Sequence, residues 1–65
     1  METFADKLKS ARVAAGMTQQ AMSDRMEIPK RTIEEWETGR RTAPGYVQRF
    51  VLNELEGLRE GTAND

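Results

Sequence analysis

Apolar residues recur along this chain at helical spacing. Phe4, Leu8, Ala11 and Ala15 are separated by four, three and four positions, which places them on one face of a helix. Thr3 precedes the run as a good N-cap residue, with Asp6 three positions later as its capping-box partner. Gly16 follows, where the chain can turn left-handed at little cost. The pattern predicts a first helix over about residues 4–15. A second run opens at Thr18, another N-cap residue. Met17 before it and Met22 at the fourth helical position form a hydrophobic staple, and Ala21, Met22 and Met26 supply an inner face. This helix, expected over about 18–26, must end near Met26, because Ile28 precedes Pro29 and is pushed out of helical geometry.

Pro29 suits the first turn of a third helix, expected over about 30–37, in which Ile33 and Trp36 point inward at a spacing of three. Trp36 reads as core closing against the fourth helix, the other reading being a stacking platform for nucleotides. Gly39 supplies a left-handed stop. Arg40, Arg41 and Thr42 then form a basic loop, and Thr42 or Ala43 caps a fourth helix with Pro44 in its first turn. Tyr46, Val47, Phe50, Val51, Leu55 and Leu58 give that helix a broad apolar stripe, and Gly57 is its expected stop, for a span of about 44–57. Residues 60–65 lack periodicity and read as a loose tail behind a domain over 1–59. The expected fold is all-α, with four helices and room for the stub of a fifth.

Composition narrows the chemistry. At 65 residues the chain has room for one domain, which buries only about 60% of its unfolded surface. With no Cys and no His, disulfides, the usual zinc sites, a thiol nucleophile and an imidazole base are all ruled out. Ser10 and Ser23 sit in helical patterns with no base to activate them. The expectation is therefore a non-enzyme that takes no metal and no cofactor, with its Met residues filling a thin core. No segment approaches the run of about 20 apolar residues that a membrane span needs, and the N-terminus lacks the apolar block of a secretory signal. The expected location is the cytoplasm. The net charge of −1 runs against nucleic-acid binding until it is divided along the chain. Residues 1–50 carry nine basic and seven acidic groups, whereas residues 51–65 carry one and four. The acidity gathers in the distal fourth helix and the tail.

Helices 2 and 3 are short and joined by only Glu27, Ile28 and Pro29, so they must cross steeply. The string from Leu8 to Gly39, LKSARVAAGMTQQAMSDRMEIPKRTIEEWETG, resembles the Cro/phage-repressor (XRE-type) helix-turn-helix family. Gly16-Met17-Thr18-Gln19 fits the family's helix 1–2 junction, and Thr32-Ile33, Trp36-Glu37 and Gly39 fit its third helix. The resemblance implies a lambda-repressor-like domain that binds double-stranded DNA as a bacterial or phage transcriptional regulator. In that family the N-terminal part of helix 3 lies in the major groove. Carried over, the base readers are Lys30, Arg31 and, one turn on, Glu35. Lys and Arg suit guanine O6/N7, and Glu accepts from a cytosine amino group. The plainer alternative is that Lys30–Glu34 and Arg31–Glu35 are ordinary surface pairs.

The same resemblance makes Gln19 a phosphate ligand and puts Arg40 and Arg41 on the DNA backbone, with Thr32 as a further phosphate contact. The alternatives are a solvated Gln and a plain surface loop. It also implies a partly buried ion pair between Arg12 and Glu37, tying helix 1 to helix 3. Two positions depart from the pattern. Glu27 stands where the family usually has Gly, so it must adopt a left-handed conformation or force a different turn. Pro29 replaces the usual Ser or Thr cap of helix 3. A domain this small is expected to dimerise on paired half-sites through the remainder of the helix 4 stripe, Val51, Leu55 and Leu58, unless those residues simply cover the core. The rival function is a protein-interaction module or antitoxin-like partner protein that keeps the fold with little DNA affinity.

Overall fold

Caps written into the sequence set most of the helix boundaries. The computed structural model describes the backbone of residues 2–64 and the side chains of residues 2–58. The described residues form four helices, α1 (Phe4–Ala14), α2 (Gln19–Met26), α3 (Lys30–Thr38) and α4 (Gly45–Asn64). At the start of α1 the Asp6 N–H donates to Thr3 Oγ1 at 3.2 Å, and the Thr3 N–H donates to the Asp6 carboxylate at 3.4 Å. This reciprocal box satisfies two of the backbone N–H groups that a helix start leaves without partners. At the other end Gly16 takes φ +75°. Its N–H reaches the Val13 carbonyl at 2.9 Å, and the Met17 N–H reaches that of Arg12 at 3.1 Å. That pair of bonds is a Schellman stop, and it turns Met17 inward against the core.

In α2 the Thr18 hydroxyl accepts the Ala21 N–H at 3.0 Å, while Met22 is fully buried. The helix leaves through Glu27, which takes the left-handed conformation at φ +56° and is the one non-glycine with positive φ among the described residues. The bonds around it explain why. The Ser23 carbonyl accepts the Ile28 N–H at 3.2 Å, and the Ser23 hydroxyl donates to the Ile28 carbonyl at 2.6 Å. Ile28 is thereby pinned against the core, and Glu27 must bend left-handed to let it reach.

Pro29 stands one place before α3, not within it. Its carbonyl accepts the N–H groups of Thr32 (2.9 Å) and Ile33 (3.3 Å), and no side chain caps the helix start. Ile33 is fully buried. Gly39, at φ +78°, stops the helix, and the chain folds back so that the Arg41 N–H bonds the Glu35 carbonyl at 3.2 Å. Ala43 is buried in the following loop. The α4 start falls one place later than expected. Pro44 accepts the Val47 and Gln48 N–H groups, and the Gln48 amide reaches back to the Ala43 carbonyl (2.7 Å) and the Thr42 hydroxyl (3.3 Å). Nor does α4 stop at Gly57. Glycine in a helix costs about 1 kcal/mol but ends it only by turning left-handed, and Gly57 keeps a negative φ. The α4 backbone continues to Asn64, through most of the segment expected as a tail, while Asp65 and the side chains beyond Leu58 lie outside the described residues.

Leu8, Met22, Ile33, Val51 and Leu55, all fully buried, form the core, with α1 packed on both α3 and α4 and α2 packed on α3. Each such side chain contributes about 1.5–3 kcal/mol by leaving water. Trp36 packs against the core as expected, and the ring it meets is that of Phe4 on α1, edge-on, with centroids 5.9 Å apart at 62°. The proposed dimer residues Val51 and Leu55 are fully buried and Leu58 is half-buried, because α1 lies on that side of α4. Among the described residues of α4, the large apolar side chains left exposed are instead Tyr46 (71% exposed) and Phe50 (62%), one turn apart.

Candidate nucleic-acid interface

The third helix carries most of the residues singled out by sequence, and its two sides do different things. On its inner side Glu37 receives Arg12 in a fork: Nε donates to Oε2 at 2.7 Å and a terminal nitrogen donates to Oε1 at 3.1 Å. The remaining terminal nitrogen of Arg12 donates to the Met17 carbonyl at 2.9 Å. The two side chains are only 11% and 5% exposed, so α1, the α1–α2 turn and α3 are joined through one nearly water-free charge pair. Gln19, at the first position of α2, donates its amide to Glu37 Oε1 at 3.2 Å. Sequence reasoning missed that bond. The signal for it was present in the spacing, since the first turn of α2 follows directly on the turn that Arg12 holds.

Outward lies a different arrangement. Lys30 and Arg31 occupy the first two positions of α3 and are exposed. Lys30 makes no ion pair among the described residues, so of the two surface pairs given as the plainer alternative Lys30–Glu34 is not formed, whereas Arg31 lies 3.9 Å from the Glu35 carboxylate. Thr32, in the same turn, is half-buried. Glu35 is not a free acceptor, because its carboxylate also lies 3.8 Å from Arg41. Arg40 is exposed and has no ion-pair partner among the described residues. An open depression of about 470 Å³ runs along this side, lined by Arg31, Glu34, Glu35, Thr38, Gly39 and Arg40. Its lining is largely charged and open to solvent, which suits a surface laid against another macromolecule and not a pocket for a small apolar ligand.

Among the described residues no group of His, Cys, Asp and Glu could hold a metal ion, and no helix is long and apolar enough to cross a membrane. Four basic side chains, Lys30 and Arg31 at the start of α3 and Arg40 and Arg41 on the loop behind it, share this outer face with Glu34 and Glu35, and basic groups of that kind grip phosphate. They sit on the second of two short helices joined by a left-handed turn.

Comparison with known proteins places the same segment. The family model described as Helix-turn-helix matches residues 8–49, more than half of the chain, from Leu8 on α1 to Arg49 in the second turn of α4. No curated protein and no solved structure matches. The matched span contains the Arg12–Glu37 pair, both short helices with their left-handed turn, and the basic loop. The chain belongs to the Cro/phage-repressor-like (XRE-type) helix-turn-helix family, a DNA-binding family of the transcription-regulator type.

Proposed function

We propose that this domain binds double-stranded DNA with sequence choice, laying the N-terminal half of α3 in the major groove. The observation that carries the proposal is the pair Lys30 and Arg31, exposed at the leading end of α3, with Arg40 and Arg41 on the loop behind it. Lys30 and Arg31 read guanine edges, and Arg40 and Arg41 grip phosphates on one flank. Gln19 approaches a phosphate on the other flank, its amide held by Glu37 and keeping one hydrogen free to donate. Thr32 is close enough in sequence to the readers to add a phosphate contact. The surplus of basic groups in residues 1–50 supports this assignment, since the acidic excess sits further along α4.

A domain with so small a reading surface gains specificity from a second copy on half-sites about one helical turn apart. The test is selection of bound sites from random duplexes, repeated with Lys30→Ala and Arg31→Ala. The expected result is an enriched motif that relaxes at the guanine positions in those variants. An enriched motif unchanged by both substitutions sinks the reader assignment. A second reading, a protein-interaction module or antitoxin-like partner with little DNA affinity, is favoured by the exposed Tyr46 and Phe50. It predicts no mobility shift on any duplex at low salt, together with protein association that Tyr46→Ser and Phe50→Ser abolish.

A further inference from the structure

We infer that Glu35 is a built-in counterion for Arg31 and Arg41, and that it sharpens sequence choice by weakening the grip on DNA of unrelated sequence. The inference deepens the major-groove reading above and rests on it. Sequence alone suggested that Glu35 accepts from cytosine, but its surroundings point elsewhere. One and the same oxygen, Oε2, lies 3.9 Å from Arg31 Nε and 3.8 Å from Arg41 Nε. The Glu35 side chain is only 20% exposed, so it is held in place, while both arginines project into solvent. The backbone repeats the tie: the Arg41 N–H and the Thr38 hydroxyl both donate to the Glu35 carbonyl, at 3.2 Å each. The loop carrying Arg41 is therefore fastened beside the carboxylate. Of the four basic side chains on this face, two are faced by a negative charge, and Lys30 and Arg40 make no ion pair among the described residues.

Geometry makes the counterion selective. The Nε of each arginine lies beyond hydrogen-bonding distance of Glu35, and neither guanidinium is tied up in a hydrogen bond among the described residues, so the terminal nitrogens of each stay available to another partner. A guanine edge offers two neutral acceptors that the terminal nitrogens of Arg31 can bridge while Nε still faces the carboxylate. A phosphate is an anion. Drawing Arg31 onto it brings two negative charges together around one guanidinium, or pulls the arginine off Glu35. The cost of keeping Glu35 thus falls mainly on contacts that carry no sequence information, which is how a repulsive element raises discrimination. Glu35 acts through Arg31 and Arg41 as a positioning residue and does not touch the base itself.

The experiment compares the full chain with Glu35→Gln, Glu35→Asp, Arg31→Ala and the Arg31→Ala/Glu35→Gln double variant. Each is titrated by fluorescence anisotropy with the selected duplex and with an unrelated duplex across a salt series. Glu35→Gln is expected to bind the unrelated duplex roughly three- to tenfold more tightly at low salt, with the slope of log K against log salt steeper by about one. Its ratio of selected to unrelated affinity should fall, and Glu35→Asp, which keeps the charge, should restore most of that ratio. In the Arg31→Ala background the Glu35→Gln change should lower discrimination no further. Unaltered binding and slope on the unrelated duplex would overturn the inference. So would a changed preference at a single base pair that persists without Arg31, because Glu35 would then read that base directly.

A second arm needs no DNA. In the free protein, Glu35→Gln should shift the Nε–H resonances of both Arg31 and Arg41, and if neither moves, the counterion does not exist whatever DNA does. Should both resonances move while the wild-type chain binds no duplex, the fault lies with the DNA-binding reading, and the selectivity role falls with it.

Discussion

Removing either end of the Arg12–Glu37 pair should come close to unfolding this domain. In Glu37→Ala, Arg12 would lose both hydrogen bonds of its fork, keep only the bond to the Met17 carbonyl, and remain a charge in a site about nine-tenths shielded from water. Breaking a buried pair from one side typically costs about 3–5 kcal/mol, because the surviving charge has no compensation. A chain of 65 residues has a total stability of about 3–10 kcal/mol. The loss therefore takes a third of the stability at the least and all of it at the worst. Urea unfolding followed by helical circular dichroism measures it: at a slope of about 1 kcal/mol/M the midpoint should fall by about 3 M or more. The double variant Arg12→Met/Glu37→Leu separates charge from packing. It removes both ions, leaves the Met17 carbonyl without its donor, and should recover most of the stability that Glu37→Ala loses. A Glu37→Ala cost under about 1 kcal/mol would refute the argument, since that is the size of an exposed surface pair. A double variant no more stable than the single one would show that shape, not compensated charge, is what the site supplies.

Three further outcomes follow from local geometry. Glu27→Gly should stabilise the domain by about 0.5–1 kcal/mol in the same urea assay, since a left-handed Glu carries a strain of about 1–2 kcal/mol that glycine lacks, offset in part by chain entropy; Glu27→Ala should bring no such gain. Thr18→Ala should cost about 1 kcal/mol by freeing the Ala21 N–H, with the loss visible as faster hydrogen exchange in the first turn of α2. A double-mutant cycle between Phe4→Leu and Trp36→Leu should give a coupling of about 0.5–1.5 kcal/mol, and a coupling near zero would mean that the edge-on ring contact contributes only its area.

What the sequence determined by itself was local. The i, i+4 apolar spacing, the Thr3 and Thr18 caps and the left-handed stops at Gly16 and Gly39 are decided within a turn or two of chain, and a reader of residues can find them. The Arg12–Glu37 pair was likewise legible through the family resemblance, whereas the bond from the Gln19 amide to Glu37 was not. The α4 stripe was not resolvable in the same way. It is broad enough to be covered on either flank, and only the position of α1 decides that Val51 and Leu55 go inside while Tyr46 and Phe50 stay out. Trp36 turned to Phe4 for the same reason, since periodicity says which way a side chain points along its own helix but not which helix waits there. Glu27 could have forced another turn, and the two Ser23–Ile28 bonds settle that it bends left-handed. Most of all, a carboxylate on an exposed helix face reads as an acceptor for a base until the loop behind it folds back. The tertiary placement of Arg41 against Glu35 turns that carboxylate into a counterion, because charges far apart in the chain interact only once the fold brings them within a few ångströms.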